Sequence, residues 1–299
     1  MKKYTPVILA ALIVVIAGAL WWSTTHHSVP QEAVPGYVIK GDKVYYDEIM
    51  HVRWADGTNH QRINELEVVG ADPSTFTLLE SPFKAGESEI GAYEAKDAHH
   101  LYYQNQVRNL VGPASTTIDL QTLSEAAPGV YKDKNAVYTI NGNKVDAVPS
   151  ADVATFVVIA DPIYGSASTY AKDKNAVFFL EGGYNPDLTA TIIPGIDTNT
   201  FKVIGVCASP AEPSGAYGNE YNAIDATHVL AGKDIVPMAD PSTFKIIGLF
   251  DKNPGGMSST DSYAVDKNRV YKDCGIVVPG VSPAQCTANN LKGCENQTL

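Results

Sequence analysis

Two short patterns alternate along this chain, and no other feature constrains its fold as much. The first reads GVYKDKNAVYTINGNKV (129–145), STYAKDKNAVFFLEGG (168–183) and SYAVDKNRVYKDCGIVV (262–278), with degenerate copies at 36–50, 91–107 and 221–236. The second reads GADPSTFTLLE (70–80), SADVATFVVIA (150–160), GIDTNTFKVIG (195–205) and MADPSTFKIIG (238–248), with a weaker fifth copy, TIDLQTLSE, at 117–125. The central Asp of the first pattern recurs at 133, 173, 225 and 266, spacings of 40, 52 and 41 residues. A chain that repeats one supersecondary unit buries the hydrophobic face of each unit against its neighbours, so the expected fold is an array of about six units.

Each unit has a local physical logic. In Tyr170-Ala171-Lys172-Asp173 apolar and polar residues alternate, the chain turns at Lys174-Asn175, and Val177-Phe178-Phe179 resumes a β-branched and aromatic run, which predicts a β-hairpin. At the turns, Asp133, Asp173 and Asp266 can accept a hydrogen bond from backbone two residues on. Asn135, Asn175 and Asn268 tolerate a left-handed conformation. In the second pattern Asp72, Asp152, Asp197 and Asp240 stand at N-cap positions, and a Phe one turn later points inward before a strand begins. The expected class is all-β: hairpin, one helical turn and strand per unit, closing into a propeller-like ring or, alternatively, left as an open meander or solenoid. An excess of Tyr, 16 in number, and 42 Gly and Pro residues agree with strands joined by many turns.

The motif Asp173-Lys174-Asn175-Ala176-Val177-Phe178-Phe179, with its copies at Asp133 and Asp266, resembles the DKNYY repeat family of bacterial exported proteins over residues 36–280. In two units His99-His100 and Ala226-Thr227 replace Lys-Asn. The resemblance implies an exported β-repeat protein and transfers no catalytic or cofactor-binding residue.

The N-terminus carries Lys2 and Lys3 before an apolar run from Pro6 to Trp22, the pattern of an export signal. Ala17-Gly18-Ala19 suits cleavage, whereas Trp21 and Trp22 suit an aromatic belt, so the expectation is a transmembrane anchor or a signal peptide over 1–22, slightly favouring an anchor in the inner membrane. Residues 23–35 then form a tether, 36–280 the repeat domain and 281–299 a cysteine-containing tail. The expected location is the bacterial cell envelope, on the periplasmic side of that membrane or, after cleavage, periplasmic or secreted. Four cysteines, Cys207, Cys274, Cys286 and Cys294, are candidates for two disulfides in an oxidising compartment, with the pairing open. A net charge of −11 repels phosphate backbones and argues against a nucleic-acid partner.

Catalytic carboxylates are needed once or as a pair, but the Asp residues of both patterns recur in unit after unit, which assigns them to turns and caps. The apolar residues after DKN leave too few oxygens for a calcium loop. Neighbouring His99 and His100 point apart on a strand, His26 and His27 lie in the tether, and His51 and His60 flank an irregular segment holding Trp54 and Asp56. No GxSxG, HExxH, P-loop or dinucleotide fingerprint is present, so no cofactor and no metal are expected. The Tyr45-Tyr46, Tyr102-Tyr103 and Phe178-Phe179 pairs put one ring on each strand face, and the insertions 47–63 and 209–219 interrupt the period at positions suited to recognition. The expected function is a non-catalytic envelope interaction module for a protein or cell-wall glycan. Its rivals are a hydrolase of envelope polymers using unrepeated carboxylates such as Glu48, Asp56, Glu65 and Glu220, and a self-associating surface protein.

Overall fold

The computed structural model describes residues 36–53, 59–79, 82–83, 94–162, 167–181, 188–208, 219–251, 260–273, 275–287 and 291–294. They build six antiparallel meander sheets, one per unit. The first contains β1 (Gly36–Lys40), β2 (Lys43–Arg53) and β3 (Asn59–Glu67), and the second β4 (Thr77–Leu78), β5 (Glu94–Lys96), β6 (Leu101–Tyr103) and β7 (Gln106–Val107). The third contains β8 (Ser124–Ala127), β9 (Val130–Lys132), β10 (Val137–Asn141) and β11 (Lys144–Ala147), and the fourth β12 (Val157–Ala160), β13 (Ala167–Lys172), β14 (Val177–Glu181) and β15 (Thr189–Ile193). The fifth has β16 (Lys202–Ala208), β17 (Asn219–Ile224), β18 (Val229–Ala231) and β19 (Asp234–Ile235); the sixth has β20 (Lys245–Asp251), β21 (Thr260–Val265), β22 (Val270–Lys272) and β23 (Ile276–Val277).

Alternation along each strand puts one set of side chains into the space between successive sheets. Val137, Phe178 and Leu180 meet Phe156 and Ala171 between the third and fourth sheets, and Tyr170, Val177 and Phe179 meet Phe201, Tyr221 and Leu230 between the fourth and fifth. Comparable clusters join first to second, second to third and fifth to sixth. The core is thus a series of slabs, each shared by two units, and one unit alone would leave both its faces wet. No core cluster among the described residues joins the first sheet to the last, and the six sheets form an open array.

The two ends of the array differ from its middle in ways that suit an open arrangement. On the outer side of the first sheet Lys40 pairs with Glu65 and lies over the Tyr45 ring, while Lys43 pairs with Glu67 at 2.8 Å. These side chains are roughly half exposed, and a polar outer face is what a terminal repeat needs for solubility. At the other end Val281-Ser282-Pro283-Ala284-Gln285-Cys286 is a sixth copy of the cap pattern: Gln285 N–H bonds the Ser282 carbonyl at 3.0 Å, as Thr243 N–H bonds that of Asp240 at 3.2 Å. Cys286 takes the place of the core Phe244, and its disulfide to Cys294, in the short 3-10 turn Leu291–Cys294, lies against Tyr263, Val265 and Val270. A cross-linked half-unit therefore closes the last slab.

Two expectations need correction. Among the described residues no helix is long and apolar enough to cross a membrane. The run Pro6–Trp22, with the tether and its histidines, lies outside the described residues, so the membrane anchor and the inner-membrane partner it implied are not carried further. The segment flanked by His51 and His60 is not irregular where it is described, because β2 and β3 extend as one long hairpin with Val52 opposite His60 and Arg53 opposite Asn59. The first hairpin also carries no Asp-Lys-Asn turn: Lys40 precedes Val44 by the four residues that separate Asp133 from Val137, and the chain reverses through Gly41-Asp42.

Candidate functional site

The repeated aspartates meet in pairs. Asp133 lies in the loop between β9 and β10, is 3% exposed, and accepts the N–H groups of Asn135 and Ala136 on Oδ1 at 2.7 and 2.9 Å. Its Oδ2 accepts the N–H of Asp119, the cap residue that opens the same unit, at 2.6 Å. The same arrangement links Asp97 to Asp72, Asp173 to Asp152, Asp225 to Asp197 and Asp266 to Asp240, at 2.6–3.0 Å. Each cap Asp also caps its own turn; Asp240 Oδ1, for example, accepts the Ser242 N–H at 3.0 Å. The Thr three residues after each cap, Thr75, Thr122, Thr155, Thr200 and Thr243, accepts the N–H of the residue following the buried Asp at 3.0–3.2 Å. Lys134, Lys174 and Lys267 complete the contact by pairing with Asp119, Asp152 and Asp240.

This clasp satisfies the backbone donors of a buried loop and fastens the turn entering each sheet to the loop between its second and third strands. The last Oδ2 bond varies: Tyr102, Tyr138 and Tyr271 donate a hydroxyl to Asp97, Asp133 and Asp266 at 2.6, 3.0 and 2.7 Å. At Asp225 the ring of His228 stands 3.1 Å away instead, and at Asp173 the position belongs to the core ring of Phe178. Burial alone would raise Asp97 and Asp225, but the converging N–H, hydroxyl and imidazole groups outweigh it and hold both at about 2.

Asn135, Asn175 and Asn268 contribute their backbone N–H groups to these clasps. None of them has positive φ; the left-handed residues instead stand two before the caps, Gly70, Ser150, Gly195, Met238 and Gly280.

One cluster is not repeated. Glu94 stands three residues before Asp97, where the other units bury Val130, Tyr170, Asn222 and Tyr263; Tyr131 stands where they bury Ala95, Ala171, Ala223 and Ala264. Arg108 donates its N–H to the Leu101 carbonyl, the bond made elsewhere by Val148, Val236 and Val278, and Glu125 occupies the position of the buried Val158 and Val203. Three positions that are apolar in the other units named are thus polar here, the fourth carries a charge where the others bury Val, Tyr or Asn, and the four face one another between the second and third sheets. Arg108 Nη2 lies 2.8 Å from Glu94 Oε1, both side chains being nearly buried, and the Tyr131 hydroxyl donates to Glu94 Oε2. The guanidinium sits 5.2 Å from the centre of the half-exposed Tyr103 ring, and its Nη1 is buried without a hydrogen-bond partner among the described residues. Burial, reinforced by the neighbouring Glu94 charge and opposed by Arg108, pushes Glu125 up to about 8; burial raises Glu94 as well. Chemically this is a pair of carboxyls, both raised above their ordinary range, one of them held by an arginine.

Of the carboxylates singled out from the sequence, the two with described side chains, Glu48 and Glu65, have different partners. Glu48 contacts Asn64 at 3.4 Å, Glu65 pairs with Lys40 on the outer face, the side chain of Glu220 in β17 is not described, and Asp56 lies outside the described residues. Glu94, Arg108 and Glu125 were legible only as departures from the repeat, a charged residue where every other unit is apolar or amide. His99 and His100 are exposed at the second clasp, and their backbone N–H groups, each 2.7 Å from Asp97 Oδ1, do its work. No group of three or more metal-ligating side chains occurs among the described residues. Two shallow hollows of about 290 and 310 Å³ lie beside Lys245 and Cys286 and beside Phe179 and Lys233, away from the polar cluster. Cys274 and the insertion residues 209–218 lie outside the described residues, as does the side chain of Cys207.

No curated protein and no solved structure matches the chain. A family model does: it spans residues 37–210, from the first strand through the fifth sheet's opening strand, and so takes in the clasps at Asp97, Asp133 and Asp173 and the polar cluster. The chain belongs to the DKNYY family.

Proposed function

We propose that this chain is an exported, non-catalytic module of the cell envelope that presents its array of sheets to another protein or to cell-wall glycan. The observation that carries this reading is the clasp. The carboxylates that define the repeat are buried and occupied with backbone N–H groups in five units, so the motif builds a scaffold and leaves recognition to the surfaces between and beyond the clasps. The Cys286–Cys294 disulfide suits an oxidising compartment outside the cytoplasm. Self-association by head-to-tail stacking is the weaker reading, because the first sheet offers a charged outer face and a cross-linked half-unit covers the last.

A second reading rests on Glu94 and Glu125, two carboxyls of one polar cluster that burial raises above the ordinary range, as a proton donor for hydrolysis of a glycan requires. Co-sedimentation of the purified chain with isolated peptidoglycan, with mass spectrometry of the supernatant, tests both readings. Retention on the polymer without released fragments supports the binding module. Fragment release that is abolished by Glu125→Gln overturns it in favour of the hydrolase.

A further inference from the structure

The first sheet has an open strand position. Five sheets carry four strands and the first carries three; β1 pairs with β2 along one edge, and its other edge faces no described strand. An open edge presents a row of unpaired N–H and C=O groups, a template for another strand. In the third sheet the matching edge belongs to β9 and is filled by β8, with Ala127 opposite Val130 and Ser124 opposite Lys132.

The correspondence between the two sheets is one of register. Tyr37↔Tyr46, Val38↔Tyr45 and Ile39↔Val44 repeat Val130↔Thr139, Tyr131↔Tyr138 and Lys132↔Val137 at a constant offset of 93 residues. Continued toward the N-terminus without a gap, that offset places Glu32-Ala33-Val34-Pro35-Gly36 on Glu125-Ala126-Ala127-Pro128-Gly129, identical at four of five positions. The Pro-Gly dipeptide found where β8 turns into β9 therefore stands in the sequence at the start of β1 as well.

We propose that the edge of β1 that faces no described strand is a strand-docking site whose occupant is the chain's own segment Gln31–Val34, turning at Pro35-Gly36. A segment joined by a two-residue corner competes for the edge at a far higher effective concentration than any strand arriving from solution. The folded domain then begins before Gly36, and a partner strand reaches β1 only by displacing this segment.

Hydrogen exchange on the full-length chain tests this. The expected result is joint protection: the outward amides of β1 and the amides of Glu32–Val34 exchange at least about 100-fold more slowly than unstructured chain. Val34→Pro is expected to release both together while the amides of the sixth sheet stay protected, whereas Thr24→Pro changes neither. Free exchange of Glu32–Val34 in the unmodified chain overturns the proposal. So does protection of β1 that survives Val34→Pro, and so does protection lost on dilution, which would mean that a second copy fills the edge.

Discussion

The clasps and the joint between the second and third sheets place polar groups in the interior in opposite ways. At the clasp an aspartate is buried five times over, each time with the same backbone donors. At the joint Glu94, Arg108, Glu125 and Tyr131 form a cluster that no other pair of sheets repeats among the described residues, and Arg108 Nη1 is left without a partner among them. A fully satisfied buried carboxylate rigidifies its surroundings, while a partly satisfied charged group costs stability where a valine would supply it. Repetition therefore marks architecture in this molecule, and departure from repetition marks the place where stability has been given up.

The largest expected effect comes from emptying a clasp. Asp266→Ala would strand the N–H groups of Asp240, Asn268 and Arg269 and the Tyr271 hydroxyl, and is expected to destabilise by about 3–5 kcal/mol in urea unfolding. Lys267→Ala, which removes only an exposed partner of Asp240, is expected to leave the urea midpoint close to that of the unmodified chain.

The joint has the opposite pH signature to the clasp. Asp97 and Asp225 are depressed, so their contribution is present above the ordinary carboxylate range and lost as pH falls toward about 2. Glu125 is raised, so its contribution is greatest below the ordinary range and declines as pH rises through about 8. Stability is thus expected to fall at both ends. Glu125→Leu should flatten the alkaline side, gaining on the order of 1–2 kcal/mol at pH 8 and leaving the acid side unchanged. A smaller gain is expected from Phe178→Tyr, which offers Asp173 the hydroxyl that Tyr138 gives Asp133: about 0.5–1 kcal/mol, read as a shift in the urea midpoint.

Much of the fold was legible because it is local. Alternation around Tyr170–Phe179 gives the hairpin, and the array of antiparallel sheets follows from repeating it. The bond from Asp240 N–H to Asp266 was not legible, since it joins residues 26 apart and neither pattern alone shows that its Asp has a second partner. The sixth cap was missed because Ser282 and Cys286 replace Asp and Phe, and ring against open array could not be separated because closure depends on faces that no single unit specifies. The polar joint was missed for a different reason. Matching copies draws attention to what agrees, whereas Glu94 and Arg108 are informative because they disagree with Tyr170 and Val148 in their own positions.

The most direct measurement is an alanine series through the five clasps, Asp97, Asp133, Asp173, Asp225 and Asp266, reading the urea midpoint and peptidoglycan retention for each variant. If the motif is architecture, all five substitutions lower the midpoint, and retention survives wherever the protein is still folded. A single aspartate whose loss abolishes retention or activity with the midpoint unmoved would contradict this and make that clasp a site.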